Sequence, residues 1–181
     1  MKTPTLALSL ILGASFAQAQ TARVQVIHNS ADAAAASVDV YLDNTLLLDD
    51  FEFRNATEFI DAPAGVSFTI GIALSTSMSS ADAIFTQDFT LADGETYVIV
   101  ADGIVSPTGY SPAVPFTLEV YPMGREAAVG GSMMTDVLVH HGSTDAPTVD
   151  IYESAVVNTT IVEDAPYGAF AGYLELPTTD F

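Results

Sequence analysis

The stretch VIHNSADAAAASVDVY at residues 26–41 returns in shortened form as VHHGSTDAPTVDIY at residues 139–152. Both stretches read His-x-Ser-x-Asp-Ala and then Val-Asp, a branched apolar residue and Tyr. The matched positions are His28, Ser30, Asp32 and Tyr41 in the first stretch and His141, Ser143, Asp145 and Tyr152 in the second. A match at this separation predicts an internal duplication of one structural unit.

Around the first copy, the sequence predicts short β-strands. Residues 38–42, VDVYL, alternate so that Val38, Val40 and Leu42 share one face of a strand. Residues 97–101, YVIVA, are apolar throughout, which is typical of a buried strand. About eight such strands, separated by turns and without an amphipathic helix, predict an all-β fold. We predict an immunoglobulin-like antiparallel β-sandwich over residues 20–121.

The segment LADGETY, residues 91–97, predicts a tyrosine corner. In this arrangement Gly94 makes the turn, the ring of Tyr97 is buried, and its hydroxyl bonds to backbone upstream. Such a corner locks the crossing between the two sheets of a sandwich.

The N-terminus has the three parts of a secretory signal peptide. Lys2 provides a positive charge, residues 6–16 are mostly apolar, and Ala17-Gln18-Ala19 is a small-x-small cleavage site. We predict a signal peptide over residues 1–19 and a secreted or cell-surface protein, with the bacterial periplasm as the other destination. The sequence contains no cysteine, which excludes disulfides and a lipoprotein anchor.

The charge is strongly unbalanced, with 23 Asp and Glu residues against 4 Lys and Arg and a net charge of −19. An acidic surface repels phosphate groups, so nucleic acids and anionic membranes are poor partners. No segment after the signal peptide is long and apolar enough to span a membrane. The acidity fits saline or calcium-rich surroundings, or solubility alone.

The predicted duplication divides residues 122–181 into a linker and a partial second unit. Residues 122–135, PMGREAAVGGSMMT, lack periodicity and are predicted to be a linker. Residues 136–181 then form a partial second copy with three or four strands. A half sandwich exposes an apolar face and open strand edges. We therefore expect either that the protein continues beyond this sequence or that another chain completes the sheets, and we favour continuation.

Three segments together with the signal peptide resemble a known family. They are VQVIHNSADAAAASVDVYLDN at 24–44, EFIDAPAG at 58–65 and TLADGETYVIVADG at 90–103. They are similar to the bacterial extracellular domain-of-unknown-function family 4397. The resemblance implies secreted or cell-surface β-sandwich modules, often in tandem, and no established activity or cofactor. Ala33–Ala36 departs from the family pattern, which has a proline near the Asp, as at Pro147 here.

His28, Ser30 and Asp32 raise the question of a catalytic triad, because alternate residues at a strand end share one face. Against catalysis, the sequence has no G-x-S-x-G elbow, and a duplicated triad would be unusual. We favour a structural motif in which Ser30 and Asp32, like Ser143 in the second copy, cap turns and His28 bonds to backbone.

A metal site is the other chemical hypothesis. Imidazole and carboxylate groups are ligands for transition metals, and the candidates are His28, Asp32, Asp39, His141, Asp145 and Asp150. Calcium prefers several oxygens, for which the candidates are Asp43, Asp49, Asp50 and Glu52, or Glu163 and Asp164. No EF-hand loop is present. We predict no cofactor and keep calcium as the alternative.

These observations favour a structural, adhesion or binding module without catalysis, whose partners are cell-surface or matrix components, either protein or glycan. The alternatives are a non-catalytic accessory domain of a larger secreted enzyme and a calcium-stabilised spacer. Phe51, Phe53 and Tyr110 are predicted to close the ends of the sandwich rather than to bind a sugar.

Overall fold

The computed structural model describes residues 19–178, which form twelve β-strands, three short 3-10 helices and no α-helix. Apart from Ala19, the predicted signal peptide lies outside the described residues. The prediction of an all-β fold is confirmed. The strands are β1 Thr21–His28, β2 Ser37–Leu42, β3 Thr45–Glu52, β4 Ile60–Pro63, β5 Ser67–Leu74, β6 Phe85–Thr90, β7 Thr96–Asp102, β8 Thr117–Tyr121, β9 Met134–His140, β10 Val149–Glu153, β11 Thr159–Ala165 and β12 Phe170–Pro177.

The first eight strands form two four-stranded sheets, ordered β4-β1-β7-β8 and β3-β2-β5-β6. Neither sheet closes into a barrel, so the predicted β-sandwich is confirmed. All strand pairs in these sheets are antiparallel except β1–β7, which is parallel. The prediction named antiparallel pairing alone. A parallel pair requires a long connection. Here the chain forms β4 and all four strands of the other sheet between β1 and β7.

The core lies between the two sheets and follows the alternation in the sequence. Val38 and Val40 of β2 are each 2% exposed and pack in the same cluster as Ile72 and Ile99. Burial of each such side chain stabilises the fold by about 1.5–3 kcal/mol. The apolar face predicted for residues 38–42 is thus the inner face of its sheet.

Strands β9 to β12 form two further pairs, β9–β12 and β10–β11. The β9–β12 pair packs against the outer face of the β4-β1-β7-β8 sheet, where Leu138, Phe170 and Tyr173 surround Val98 and Tyr121. β9 begins at Met134, slightly before the predicted boundary at residue 136, because the last residues of the predicted linker already pair with β12.

The second set of strands pairs in the register of the first. In β1–β4, Thr21 lies opposite Pro63 and Val24 opposite Ile60. In β9–β12, the residues that the sequence match places at these positions pair in the same way, Met134 with Pro177 and Val137 with Leu174.

The hairpins β2–β3 and β10–β11 also share an irregularity. Each has a register shift, after the pair Val38–Phe51 in one and after the pair Val149–Ala165 in the other. An Asp with positive φ sits at both shifts, 50° at Asp50 and 52° at Asp164. A β-bulge inserts one unpaired residue in this way and bends the strand.

Within residues 19–178 the structure contains no helix of the length and apolar character needed to cross a membrane.

Candidate functional site

His28 ends β1 inside the sandwich and is only 1% exposed. Its Nε2 lies 2.8 Å from the carbonyl oxygen of Ala35, and a carbonyl only accepts, so Nε2 carries the proton. The rings of Phe51 and Phe53 lie 6.0 and 6.1 Å from the imidazole. Burial lowers the pKa of His28, and the bond to Ala35 only partly opposes this, so the neutral ring is favoured.

Ser30 and Asp32 join the loop after β1 to the loop after β7. The hydroxyl of Ser30 donates to the carbonyl of Gly103 at 2.6 Å. The carboxylate of Asp32 accepts from the amides of Val105 at 2.9 Å and Ser106 at 2.6 Å, and from the Ser106 hydroxyl at 2.8 Å. These contacts fix the ends of two parallel neighbouring strands to each other.

Asp32 also caps the short 3-10 helix Ala33–Ala35 by accepting from the Ala34 amide at 2.9 Å. Burial of the carboxylate by itself raises the pKa of Asp32. The hydrogen bonds from Ala34 and Ser106 outweigh burial and hold the pKa below its ordinary value. Asp32 is therefore an ionised carboxylate in a closed site, 1% exposed.

This geometry is that of a turn cap. A serine nucleophile needs a hydrogen bond to a basic group, whereas the Ser30 hydroxyl donates to a carbonyl. The proton of His28 likewise points to the Ala35 carbonyl. The three side chains are each 1% exposed, so a substrate could not reach them without opening the loops.

The matched residues His141, Ser143 and Asp145 share part of this network. His141 Nε2 lies 3.0 Å from the carbonyl oxygen of Pro147. The ring of Tyr167 meets His141 edge-on at 6.2 Å and 73°, as Phe53 meets His28 at 6.1 Å and 71°. Ser143 and Asp145 differ, because both are exposed and the Ser143 hydroxyl donates to Asp145 at 2.9 Å.

Asp39 makes its contacts apart from His28, Ser30 and Asp32. Its Oδ1 accepts from the Asp50 amide at 3.1 Å and its Oδ2 from the Ser77 hydroxyl at 2.5 Å. Asp39, Asp49 and Asp50 each offer an oxygen within 4.8 Å of the others, and the last two are exposed. At the position that the sequence match pairs with Asp39, Asp150 Oδ1 accepts from the Asp164 amide at 2.8 Å.

The structure thus brings together only part of the predicted metal ligands. Within residues 19–178, the group of Asp39, Asp49 and Asp50 is the one that meets the spacing for three ligands. His28, Asp32, His141, Asp145 and Asp150 do not take part in it, nor do the calcium candidates Asp43, Glu52, Glu163 and Asp164.

The four tyrosines singled out by the sequence lie in different parts of the fold and make different contacts. Tyr97 is 9% exposed and its hydroxyl accepts from the Ala92 amide at 3.1 Å, across the turn at Gly94, where φ is 75°. Tyr110 accepts from the Ala33 amide at 2.7 Å over the capped loop. Tyr41 is buried beside Ser77, with 2.8 Å between the hydroxyls, whereas Tyr152 is 56% exposed.

His140 and Asp102 form a contact that the sequence reasoning missed. Asp102 is 0% exposed, and its carboxylate accepts from the side-chain Nδ2 of Asn29 at 2.6 Å and pairs with His140 Nε2. The ring of His140 lies 4.2 Å from that of Phe170. The sequence feature that could have predicted this contact is the adjacent pair His140-His141, because neighbouring residues of a strand point to opposite faces. His141 faces its own unit, and His140 faces the first sandwich.

Comparisons with known proteins give one match. A family model described as Domain of unknown function (DUF4397) matches residues 17–117, which is more than half of the chain. No curated protein and no solved structure matches the chain. The matched segment spans β1 to β7 and the His28, Ser30 and Asp32 cap. The chain therefore belongs to the family of the Domain of unknown function (DUF4397).

Proposed function

We propose that this chain is an exported, non-catalytic module of a cell surface or extracellular matrix, and that it serves structure, adhesion or binding. The observation that carries the proposal is the burial and the hydrogen bonding of the His-x-Ser-x-Asp motif at residues 28–32. His28, Ser30 and Asp32 are each 1% exposed, and they hold backbone groups of their own loop and of the loop after β7. A motif used in this way is scaffold, and binding is left to loops and strand edges.

We further propose that residues 136–181 are a partial second copy of the first module. The support is the agreement in strand register, in the bulge at Asp50 and Asp164, and in the histidine contacts. Tandem modules extend a surface or place a binding unit at a distance, which suits a structural or adhesive role better than a catalytic one.

The proposed partners are proteins or glycans without a strongly anionic surface. The net charge of −19 repels anionic partners. It also gives the module solubility and makes attraction to cationic or neutral surfaces dependent on salt.

The test has two arms. The first arm is N-terminal sequencing of exported protein, for which we expect Gln20 as the first residue. The second arm measures retention of protein-coated beads on the surface or matrix of the producing cells, with uncoated beads as the control. Retention at the level of the uncoated beads would contradict the adhesive role.

The alternative hypothesis, that His28, Ser30 and Asp32 catalyse hydrolysis, is tested separately by a screen with esterase and peptidase substrates. We expect the protein and its Ser30→Ala variant to show the same background turnover. Turnover that disappears in the variant would contradict the proposal, because it would require an accessible Ser30.

A calcium-stabilised spacer is the second candidate function. It is favoured by the proximity of Asp39, Asp49 and Asp50. Both oxygens of Asp39 already accept hydrogen bonds from protein groups, so this candidate ranks second.

A further inference from the structure

The two repeated stretches of sequence differ at two positions where the second unit, strands β9 to β12, touches the first module. The sequence match pairs His140 with Ile27 and Gly142 with Asn29. His140 ends β9 and pairs with Asp102, the last residue of β7. The backbone of Gly142 lies beside Asn29, which directly follows β1. The second unit therefore departs from the first module at the residues by which it meets the ends of β1 and β7.

Asp102 is the centre of this contact, and its side chain is 0% exposed. The first module supplies Asn29, whose Nδ2 donates to Oδ1 of Asp102 at 2.6 Å. The second unit supplies His140, whose Nε2 pairs with Oδ2 of the same carboxylate. A buried carboxylate is costly unless its oxygens have partners. The second unit therefore completes the pairing of a carboxylate that the first module pairs only in part.

Gly142 allows the two units to approach this closely. A β-carbon at residue 142 would lie 2.5 Å from Oδ1 and 2.8 Å from Oδ2 of Asp102, and closer still to Nδ2 of Asn29. Side-chain atoms do not pack at such distances, and a position where backbone comes this close to other groups requires glycine. Asn29 and Asp102 are short side chains that are bonded to each other, so they cannot move apart without losing that bond.

The segment between the units is tied to both of them. The backbone amide of Arg125 donates to the hydroxyl of Tyr173 at 2.9 Å, and the Arg125 guanidinium pairs with Asp136 at 2.7 Å. The next residue, Glu126, pairs with Arg23 of β1 at 2.9 Å. Arg23 and Arg125 are two of the four basic residues in a chain with a net charge of −19. Positive charge is thus placed where the two acidic units meet.

Apolar contacts and the polar contact at Asp102 have different roles. Phe170 and Tyr173 of β12 pack on Tyr121 of β8, with ring centroids 5.4 and 5.7 Å apart. Burial of these rings stabilises the contact between the units but admits other apolar surfaces of similar shape. A buried charge that needs a specific partner does not, because a unit without that partner leaves the carboxylate unpaired.

We propose that Asn29 and Asp102 form a docking site that fixes the second unit to the first module as one rigid body. The site accepts a unit of this fold that has histidine at the position of Ile27 and glycine at the position of Asn29. The second unit carries these residues, as His140 and Gly142, and the first module does not. The two units are therefore not interchangeable. This inference goes beyond the proposed function and needs only the contacts between the units.

The experiment measures the distance between the units in the full chain by pulsed electron spin resonance. Spin labels are attached at Thr86→Cys on β6 and Thr159→Cys on β11, which are exposed positions in a chain without cysteine. We expect one narrow distance distribution, and Gly142→Asn should replace it with a broad one. The matched control is Gly131→Asn, at a glycine with φ of 75° and no atom within 4 Å of an added β-carbon. Because asparagine adopts positive φ readily, this control should keep the narrow distribution.

A reciprocal exchange separates the docking site from general destabilisation. Asn29→Gly combined with Gly142→Asn vacates the space that Asn29 fills and places an amide beside Asp102 from the second unit, so we expect the narrow distribution to return. His140→Ile, the residue of the first module at this position, should broaden the distribution because Asp102 loses its partner. Circular dichroism measures the strand content of each variant, and His140→Ile decides the test if Gly142→Asn loses strands.

Three results would overturn the proposal. They are a broad distribution in the unchanged chain, a narrow one in both Gly142→Asn and His140→Ile, and a broad one in the reciprocal variant. Dilution with unlabelled chain provides the remaining outcome, since a distance that disappears on dilution joins two chains and would also overturn the proposal. Bead retention and the Ser30→Ala screen do not depend on these distances, so failure of the docking site is distinguishable from failure of the proposed function.

Discussion

The largest predicted effect of a single substitution is that of Asp32→Ala. The side chain is 1% exposed and accepts from the amides of Ala34, Val105 and Ser106 and from the Ser106 hydroxyl. Alanine would leave three amides without an acceptor in a buried loop. A buried donor without a partner costs about 1–3 kcal/mol, so we expect a loss of about 3–6 kcal/mol in the free energy of unfolding, allowing for water that enters the loop.

The chain offers a matched control for this substitution. Asp145 stands at the same position of the sequence match but is exposed, and its carboxylate accepts from the Ser143 hydroxyl. We expect Asp145→Ala to change the free energy of unfolding by no more than about 0.5 kcal/mol, the range of ordinary surface substitutions. Asp32→Asn, which keeps one acceptor oxygen, should lie between the two.

The assay is urea unfolding at neutral pH, followed by intrinsic tyrosine fluorescence and circular dichroism. A domain's stability is about 5–15 kcal/mol, so Asp32→Ala could remove most of it and prevent folding. In that case Asp32→Asn provides the measurement. Equal midpoints for the Asp32 and Asp145 variants would refute the view that the cap is the support of the first module.

Three further predictions concern pH, the tyrosine corner and calcium. The pKa values of His28 and Asp32 are both lowered in the fold, so the native state binds fewer protons than the unfolded chain. The free energy of unfolding should therefore fall as the pH drops below about 6.5 and fall further below about 4, the ordinary values for the two groups, and a stability that increases towards acid would contradict this. Tyr97→Phe removes the acceptor of the Ala92 amide and should lower the free energy of unfolding by about 0.5–1.5 kcal/mol in urea titrations; an unchanged midpoint would show the hydroxyl to be dispensable. We expect the same thermal midpoint in calcium and in chelator, since both oxygens of Asp39 already accept hydrogen bonds, whereas a midpoint that rises in calcium would favour the spacer.

The local features of the site followed from residue chemistry. Alternation at residues 38–42 predicted the inner face of β2, where Val38 and Val40 are buried. Ser30 and Asp32 were predicted to cap turns through backbone groups. Asp32 accepts from the nearby Ala34 amide, whereas Ser30 donates to the carbonyl of Gly103, 73 residues away. Short polar side chains bond to backbone nearby or across a loop whatever the overall topology, so this inference needs only the sequence.

The partners of these residues could not be inferred in the same way. Asp32 bonds to Val105 at a separation of 73 residues, and this contact depends on the parallel pairing of β1 with β7. Alternation shows which face of a strand is buried but not which strand lies beside it, because the neighbour is chosen by the path of the chain between the sheets.

The sequence by itself determined the all-β class, the repeated motif, the acidic surface and the membership of a family whose domain covers the first module. Only the tertiary structure decided that the two copies of the motif are in different states. Asp32 is enclosed by a neighbouring loop and Asp145 is exposed, although their local sequences match. The physical reason is that burial of a polar cap depends on strands distant in sequence, and these are present beside β1 and are not present beside β9 in residues 19–178.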